Sequence, residues 1–215
     1  MFTRGGRKAA LGHRIRARSV DQNIPDSARG RSTANIRSEP DIPRSSEALV
    51  HIVFVCTGNI CRSTFAERYA ALVDAEAGGS LHFSSVGVGA VIGAPMEELM
   101  AERLVARGGS PEGFIARQLN YDAIADADLL LPLESTHRRI LIEEYPQLHS
   151  KAFVLRSAAR LASEAPDDVD RVEWILQHRP SRTRGDSIAD PYRRGPAAAD
   201  EAAAQITEAI DTIFG

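Results

Sequence analysis

The sequence predicts an α/β fold: three layers, with a four-stranded parallel sheet carrying helices on both faces. Two observations predict it. An apolar run, His51-Ile52-Val53-Phe54-Val55, passes at once into a tight polar loop and then into a helical pattern from Thr64 to Ala77. Further short apolar runs then alternate with amphipathic stretches to the end of the chain. Strands that alternate with helices pair in parallel, and the crossover helices cover both faces of the sheet.

The elements follow in order. Residues 1–47 are rich in Arg, Ser, Gly and Pro, poor in large apolar residues and without a sustained period, which predicts a disordered basic tail. The tail lacks the continuous apolar core of a secretory signal. Its Arg and Ser content resembles that of an organelle transit peptide, but Asp21, Asp26, Glu39 and Asp41 count against that reading. A basic arm for an acidic partner is the functional alternative to a solvated tail. Residues 48–215 are predicted to form the folded domain. Its first helix sets Phe65, Tyr69, Leu72 and Val73 on one face, with Thr64 to Glu67 as a capping box and Gly78-Gly79 as its end. Leu81 to Val86 reads as the second strand. Pro95 opens a helix with Met96, Leu99, Met100 and Leu104 on one face, stopped at Gly108-Gly109. Asp128 to Leu131 reads as a buried third strand that Pro132 ends. Ser135 caps a helix reaching Tyr145-Pro146, Lys151 to Arg156 reads as the fourth strand, and a helix spans roughly 167–177. Pro196 opens a last helix whose core face is Ala199, Ala203, Ile206, Ile210 and Ile213.

Charge and cysteine content exclude several functions. Residues 1–48 carry ten Lys/Arg against five Asp/Glu, which leaves the remainder at −8 within a total of −3. An acidic domain is a poor binder of nucleic acid, so no nucleic-acid partner is expected. No apolar run approaches the ~20 residues of a membrane span, so no membrane is expected either. The two cysteines, Cys56 and Cys61, allow no disulfide framework and no second pair to complete a zinc tetrahedron. Gly87-Val88-Gly89 lacks the third glycine of a dinucleotide fingerprint and reads as a turn. No metal or cofactor is expected.

Chemistry concentrates in the loop Cys56-Thr57-Gly58-Asn59-Ile60-Cys61-Arg62-Ser63. A loop from a strand end to a helix start aims several backbone N–H groups at one point and adds the positive end of the helix dipole. Gly58 and Asn59 suit the positive φ that such curling needs. Arg62 offers a planar fork for two phosphate oxygens. Cysteines at helix N-termini or beside Arg titrate at about 3.5–7.5 against about 8.5 when free, so one loop binds an anion and makes a nucleophile. Ser63 is placed to donate to the sulfur and to cap the helix.

Cys-x5-Arg-Ser is the loop pattern of cysteine-dependent phosphatases. Its place after the first strand resembles the low-molecular-weight protein tyrosine phosphatase family, from about Val50 to Phe214. The resemblance implies that fold and hydrolysis of phosphate monoesters, protein phosphotyrosine first among them, through a cysteinyl-phosphate. Asp190-Pro191-Tyr192 matches the loop that supplies the family's general acid and base, which implies that role for Asp190. Thr57, Gly58, Asn59, Ile60, Cys61 and Ser63 would bind phosphate or substrate, with Tyr192 at the entrance. Ile60 stands where relatives that act on phosphoarginine carry Thr, and so favours an aryl phosphate. Cys61 is a small buried side chain by composition; in similar proteins the second loop cysteine pairs reversibly with the nucleophile. Asn59, Ser63 and Ser85 match the family's loop-supporting network, and Arg117-Gln118 a similar Arg-Gln stretch. Phe114 stands in place of the network's His. Gly89-Ala90-Val91-Ile92 lacks an aromatic, and Leu133-Glu134 replaces an Asp.

Two other readings share the loop. Arsenate reduction with a low-molecular-weight thiol needs only Cys56, whereas thioredoxin-coupled versions need a further cysteine pair. A non-catalytic phosphate-binding or redox-sensing domain would need neither Asp190 nor a leaving group. The expected partners are a phosphoprotein or a small aryl phosphate, and a thiolate nucleophile fits a reducing, cytoplasmic compartment. Oligomeric state is not legible from the sequence.

Overall fold

The computed structural model describes residues 49–179 and 185–215. The tail of residues 1–47 lies outside the described residues, as do residues 180–184 of the Arg-rich connection before Asp190.

Three parallel strands form the sheet in the order β2-β1-β3. Strand β1 (Val50–Cys56) lies between β2 (Leu81–Gly87) and β3 (Leu129–Pro132). The register sets Cys56 opposite Gly87 and Val55 opposite Pro132, so all three strands end at one edge. Because side chains alternate along a strand, β1 feeds two cores. Ile52, Phe54 and Cys56 enter one, together with Phe65, Met100, Leu104, Leu155, Ile206 and Ile210. Val53 and Val55 enter the other, with Leu130, Ile124, Leu141 and Leu148. The first core is roofed by α1 (Arg62–Ala77), α2 (Glu98–Val105), α4 (Leu155–Ala162), α5 (Arg171–Gln177) and α6 (Pro196–Phe214). The second lies under α3 (Ser135–Glu144) and the 3-10 turn Pro146–Lys151. The three layers are as the sequence predicts, and all five core positions assigned to the last helix are buried.

The sheet has three strands, not four. Lys151 to Arg156 makes a single parallel bridge, Leu130 to Ala152, reinforced where Phe153 N–H donates to Leu130 O at 2.9 Å. The chain then turns into α4 at Leu155. Leu155, Ala158, Ala159 and Ala162 repeat at helical spacing and are all buried, so the helix takes them from the strand. The predicted capping box also fails. Cys61 occupies the N-cap of α1 without a side-chain cap, and Thr64 Oγ1 donates to Asn59 O at 2.9 Å. Ser63 therefore does not cap the helix either. Two further starts move: the helix expected at Pro95 begins at Glu98, where the Glu97 side chain accepts from Met100 N–H. Ser135 is the first residue of α3, and Glu134 is its N-cap, with no side-chain cap hydrogen bond.

Candidate active site

The loop from Cys56 to Arg62 is held by backbone before any side chain acts. Val88 N–H donates to Cys56 O at 2.9 Å, Gly89 N–H to Thr57 O at 3.0 Å and Val91 N–H to Gly58 O at 3.0 Å. On the α2 side, Glu97 N–H donates to Ile60 O at 2.8 Å. Gln118 fastens the second loop, accepting from Ala90 N–H at 2.9 Å and donating to Val88 O at 3.0 Å. Gly87 is where the two loops close on each other. A Cβ there would stand 2.5 Å from Thr57 O and 3.0 Å from Asn59 N. Only glycine permits that approach, so Gly87 is more than the turn residue its spacing predicts.

Within the loop, Asn59 takes the left-handed conformation at φ 52°, as expected, while Gly58 does not. Asn59 N–H points at the sulfur, 3.3 Å from Cys56 Sγ. Ser63 Oγ lies 3.0 Å from the same sulfur. Asn59 Nδ2 donates to Ser63 Oγ at 2.9 Å and to Ser85 Oγ at 2.8 Å, and Arg117 N–H donates to Asn59 Oδ1 at 2.7 Å. The network that the sequence marks at Asn59, Ser63 and Ser85 is thus assembled. Phe114 contributes no polar group to it; its ring is buried in the core, with the Arg68 guanidinium 5.8 Å from its centre. Ser85 Oγ instead donates to Glu67 Oε2 at 2.6 Å.

Arg62 is 1 % exposed and the largest side chain so deeply buried. A buried charge needs partners. Its Nη1 donates to the Glu134 carboxylate and, at 2.8 Å, to Ile188 O. Its Nη2 lies 3.3 Å from Asp190 Oδ1. Its Nε is buried with no hydrogen-bond partner among the described residues, and Arg62 helps to line the hollow beside Cys56. Burial alone would raise the Glu134 carboxyl; the hydrogen bond and charge of Arg62 overcome that and hold it below its ordinary value. Beside them, His137 Nε2 sits 2.9 Å from Thr57 Oγ1 and 3.9 Å from Glu134 Oε1. Burial, aided by the Arg62 charge and opposed by Glu134 and Asp190, lowers His137 to about 4.

A hollow of about 170 Å³ opens at this edge, lined by Cys56, Thr57, Gly58, Ile60, Cys61, Arg62, Gly89, Val91, Asp190 and Tyr192. Asn59 and Ser63 lie buried behind it. Asp190, from the far end of the chain, therefore faces the same space as Cys56. Tyr192 N–H donates to Asp190 Oδ1 at 3.3 Å, and the Tyr192 ring stands 41 % exposed with the Arg193 guanidinium 5.0 Å from its centre. Val91, from the loop after Ser85 that lacks an aromatic, supplies an aliphatic wall. Both cysteines are free and buried, and burial pushes the Cys61 thiol far above its ordinary value, with Glu97 the next contribution. Among the described residues no cluster of His, Cys, Asp and Glu could hold a metal.

Three side chains of the site take parts in it that the sequence does not predict: Glu67, Glu134 and His137. Glu134 left a trace, as the carboxylate in an unusual place after the third strand. Glu67 was disguised by the capping-box spacing, and His137 by its ordinary position in an amphipathic helix.

Comparison with known proteins shows what the chain is similar to. The family described as low molecular weight phosphotyrosine protein phosphatase matches residues 51–165. The low molecular weight protein-tyrosine-phosphatase Wzb of Salmonella typhi is 33% identical over 103 residues, 48% of this chain and 66% of that protein. The probable low molecular weight protein-tyrosine-phosphatase AmsI of Erwinia amylovora is 28% identical over 145 residues, 66% of this chain and 80% of that one. The crystal structure of a low molecular weight protein tyrosine phosphatase from T. tengcongensis superposes with a TM-score of 0.61, at 24% identity, over 76% of this chain and 96% of that one. At that identity it supports the fold.

Proposed function

The chain belongs to the low molecular weight phosphotyrosine protein phosphatase family, and from that membership we propose that it hydrolyses phosphotyrosine esters through a cysteinyl-phosphate. The Cys56 thiolate attacks phosphorus in line with the departing aryl oxygen. The loop amides and the free Nε edge of Arg62 hold the equatorial oxygens as charge develops on them. Asp190 protonates the leaving oxygen, then takes a proton from the water that hydrolyses the cysteinyl-phosphate. Ile60, Val91 and Tyr192 give the aryl ring apolar walls, which supports an aromatic ester over a small aliphatic one. The substrate class is phosphoprotein, and a free-thiol nucleophile supports a cytoplasmic setting.

One observation carries the reading: a nucleophile, an arginine with an unpaired buried donor and a carboxylic acid border one anion-sized hollow. The test is hydrolysis of p-nitrophenyl phosphate and phenyl phosphate. Cys56→Ser is expected to abolish both. Asp190→Asn is expected to lower kcat by about 10²–10³, and more for phenyl phosphate, whose leaving group needs the proton more. Undiminished turnover in Cys56→Ser refutes the mechanism. Arsenite formed from arsenate with an added thiol, without ester hydrolysis, would replace this reading with arsenate reduction.

A further inference from the structure

A second cavity, of about 530 Å³, opens beside the edge strand β2 and shares no lining residue with the hollow at Cys56. His51, Ser84 and Asp126 all line it. In the β1–β2 ladder His51 stands opposite His82, so Ser84 lies two residues further along the same face. The His51 ring reaches along that face, with Nε2 2.8 Å from Ser84 Oγ. Its other nitrogen, Nδ1, lies 3.1 Å from Asp126 Oδ1, in the segment that leads into β3. That segment is fastened to His51 twice through the backbone. His51 N–H donates to Asp128 Oδ2 at 2.9 Å, and Asp128 N–H donates to His51 O at 2.8 Å. The His82 ring stacks on the His51 ring, with centroids 4.4 Å apart. The imidazole is thus held at both nitrogens, on one face and at its backbone.

Donation along this line has one consistent direction. An ionised carboxylate only accepts, so His51 Nδ1 carries its proton toward Asp126. In the neutral ring Nε2 then keeps a lone pair, and it accepts from the Ser84 hydroxyl. A hydroxyl, an imidazole placed to take its proton and a carboxylate that orients the imidazole are the parts of an acyl-transfer site. We propose that Ser84, His51 and Asp126 form a second catalytic centre, which hydrolyses carboxylic esters. Ser84 Oγ bonds to the carbonyl carbon while its proton passes to His51 Nε2. The bond from that carbon to the alcohol oxygen breaks, and the alcohol leaves with the proton. Water then adds to the acyl carbon and gives a proton to His51 Nε2. The carboxylic acid departs, and Ser84 Oγ recovers the proton. Asp126 stays ionised throughout. Arg117 supplies positive charge for the carbonyl oxygen. It lines the cavity, and its Nη2 donates to Ser85 O at 3.2 Å, which anchors the guanidinium at the residue next to the nucleophile. Phe114 and Ile115 line the same cavity and offer the acyl chain an apolar wall.

Two measurements test the proposal. In the first, the full chain is treated with a fluorophosphonate, from which an activated serine displaces fluoride, and the modified residue is read by mass spectrometry. Label is expected on Ser84, and Asp126→Asn is expected to slow its attachment about tenfold. In the second, hydrolysis of p-nitrophenyl acetate is followed in a Cys56→Ala background, which removes the other nucleophile. There Ser84→Ala is expected to lower kcat/KM by about 10²-fold or more. With Cys56 intact, Ser84→Ala should hydrolyse p-nitrophenyl phosphate at the unaltered rate. An equal fall in both activities would assign the loss to the fold and overturn the proposal. Absence of label on Ser84 overturns it, as does an ester rate that is the same with and without the Ser84 hydroxyl. Asp126 is 78% exposed, so Asp126→Asn leaves the packing in place and tests the proposal where Ser84→Ala does not fold. Label attached at the same rate in Asp126→Asn also overturns it. None of these steps passes through Cys56, so a chain that hydrolyses no phosphate ester yet labels at Ser84 would sink the proposed function and leave this centre standing.

Discussion

A full positive charge at 1 % exposure is costly unless its surroundings answer it, and Arg62 is answered by Glu134 and Ile188 O at Nη1 and by Asp190 at Nη2. Glu134 and Ile188 O fix Nη1, which holds the guanidinium rigid while its buried Nε has no partner among the described residues. The same cluster imposes a pH dependence through His137. Its folded value is about 4 against an ordinary 6.5, burial being the main cause. Between those values the unfolded chain binds a proton that the folded chain refuses. Stability therefore rises with pH through this window and is lost as pH falls from about 6.5 toward about 4. His137→Gln removes the titration while an amide can still reach Thr57 Oγ1. Urea unfolding at pH 7 and pH 5 should show the unaltered protein losing roughly 2 kcal/mol more than the variant. Glu67, whose raised value acts in the opposite sense, is common to both proteins and drops out of the difference. Equal losses would show that His137 is protonated in the folded state. Residue by residue, the sequence discloses groups whose role is set by a short loop: Cys56, Arg62 and Asp190 each sit at a fixed offset within a strand-to-helix or loop-to-helix connection. It conceals Glu134, His137 and Glu67, because each works by reaching across to another element, and no spacing records that reach.

At the level of elements, the site depends on how closely the end of β2 meets the loop after β1. That closeness is encoded in one missing side chain. Gly87→Ala would drive a methyl group to 2.5 Å from Thr57 O and 3.0 Å from Asn59 N, both backbone atoms with nowhere to retreat. The loop must shift, carrying Asn59 off the sulfur and loosening the ties of Val88 and Gly89. The expected outcome is a loss of about 2–3 kcal/mol in stability, typical of overpacking, together with a fall in kcat larger than the rise in KM. A variant with unaltered kcat would mean that the loop geometry tolerates the shift. The elements themselves were legible where one period dominated: β1 as an unbroken apolar run, α6 as a long stripe beginning at Pro196. They were illegible between residues 151 and 162, where alternation over the first residues overlaps helical spacing from Leu155. Local pattern cannot choose between those two. Tertiary contacts choose, since Ser157 Oγ donates to Asp186 at 2.5 Å and fastens α4 to the segment that leads to Asp190.

For the molecule as a whole, the two cores and the hollow are, among the described residues, built from residues beyond position 49. Charge divides along the same line, with a surplus of basic residues before residue 49 and a net −8 after it. A chain that begins at residue 48 keeps every described strand and helix and every side chain assigned to catalysis. Apolar burial is the main stabilising term, and this truncation removes none of the apolar contacts described above. It should therefore melt within a few degrees of the full chain and hydrolyse p-nitrophenyl phosphate with the same kcat. What should change is behaviour toward charged macromolecules. Removing ten basic residues leaves an acidic domain, so association with an acidic partner should weaken and lose its salt dependence, while KM for a small aryl phosphate stays the same. The measurement is a paired comparison of melting temperature, small-substrate kinetics and salt-dependent retention on an anionic resin. A truncated chain that unfolds would make the first 47 residues part of the structure. One that folds with altered kcat would show that catalysis depends on the first 47 residues.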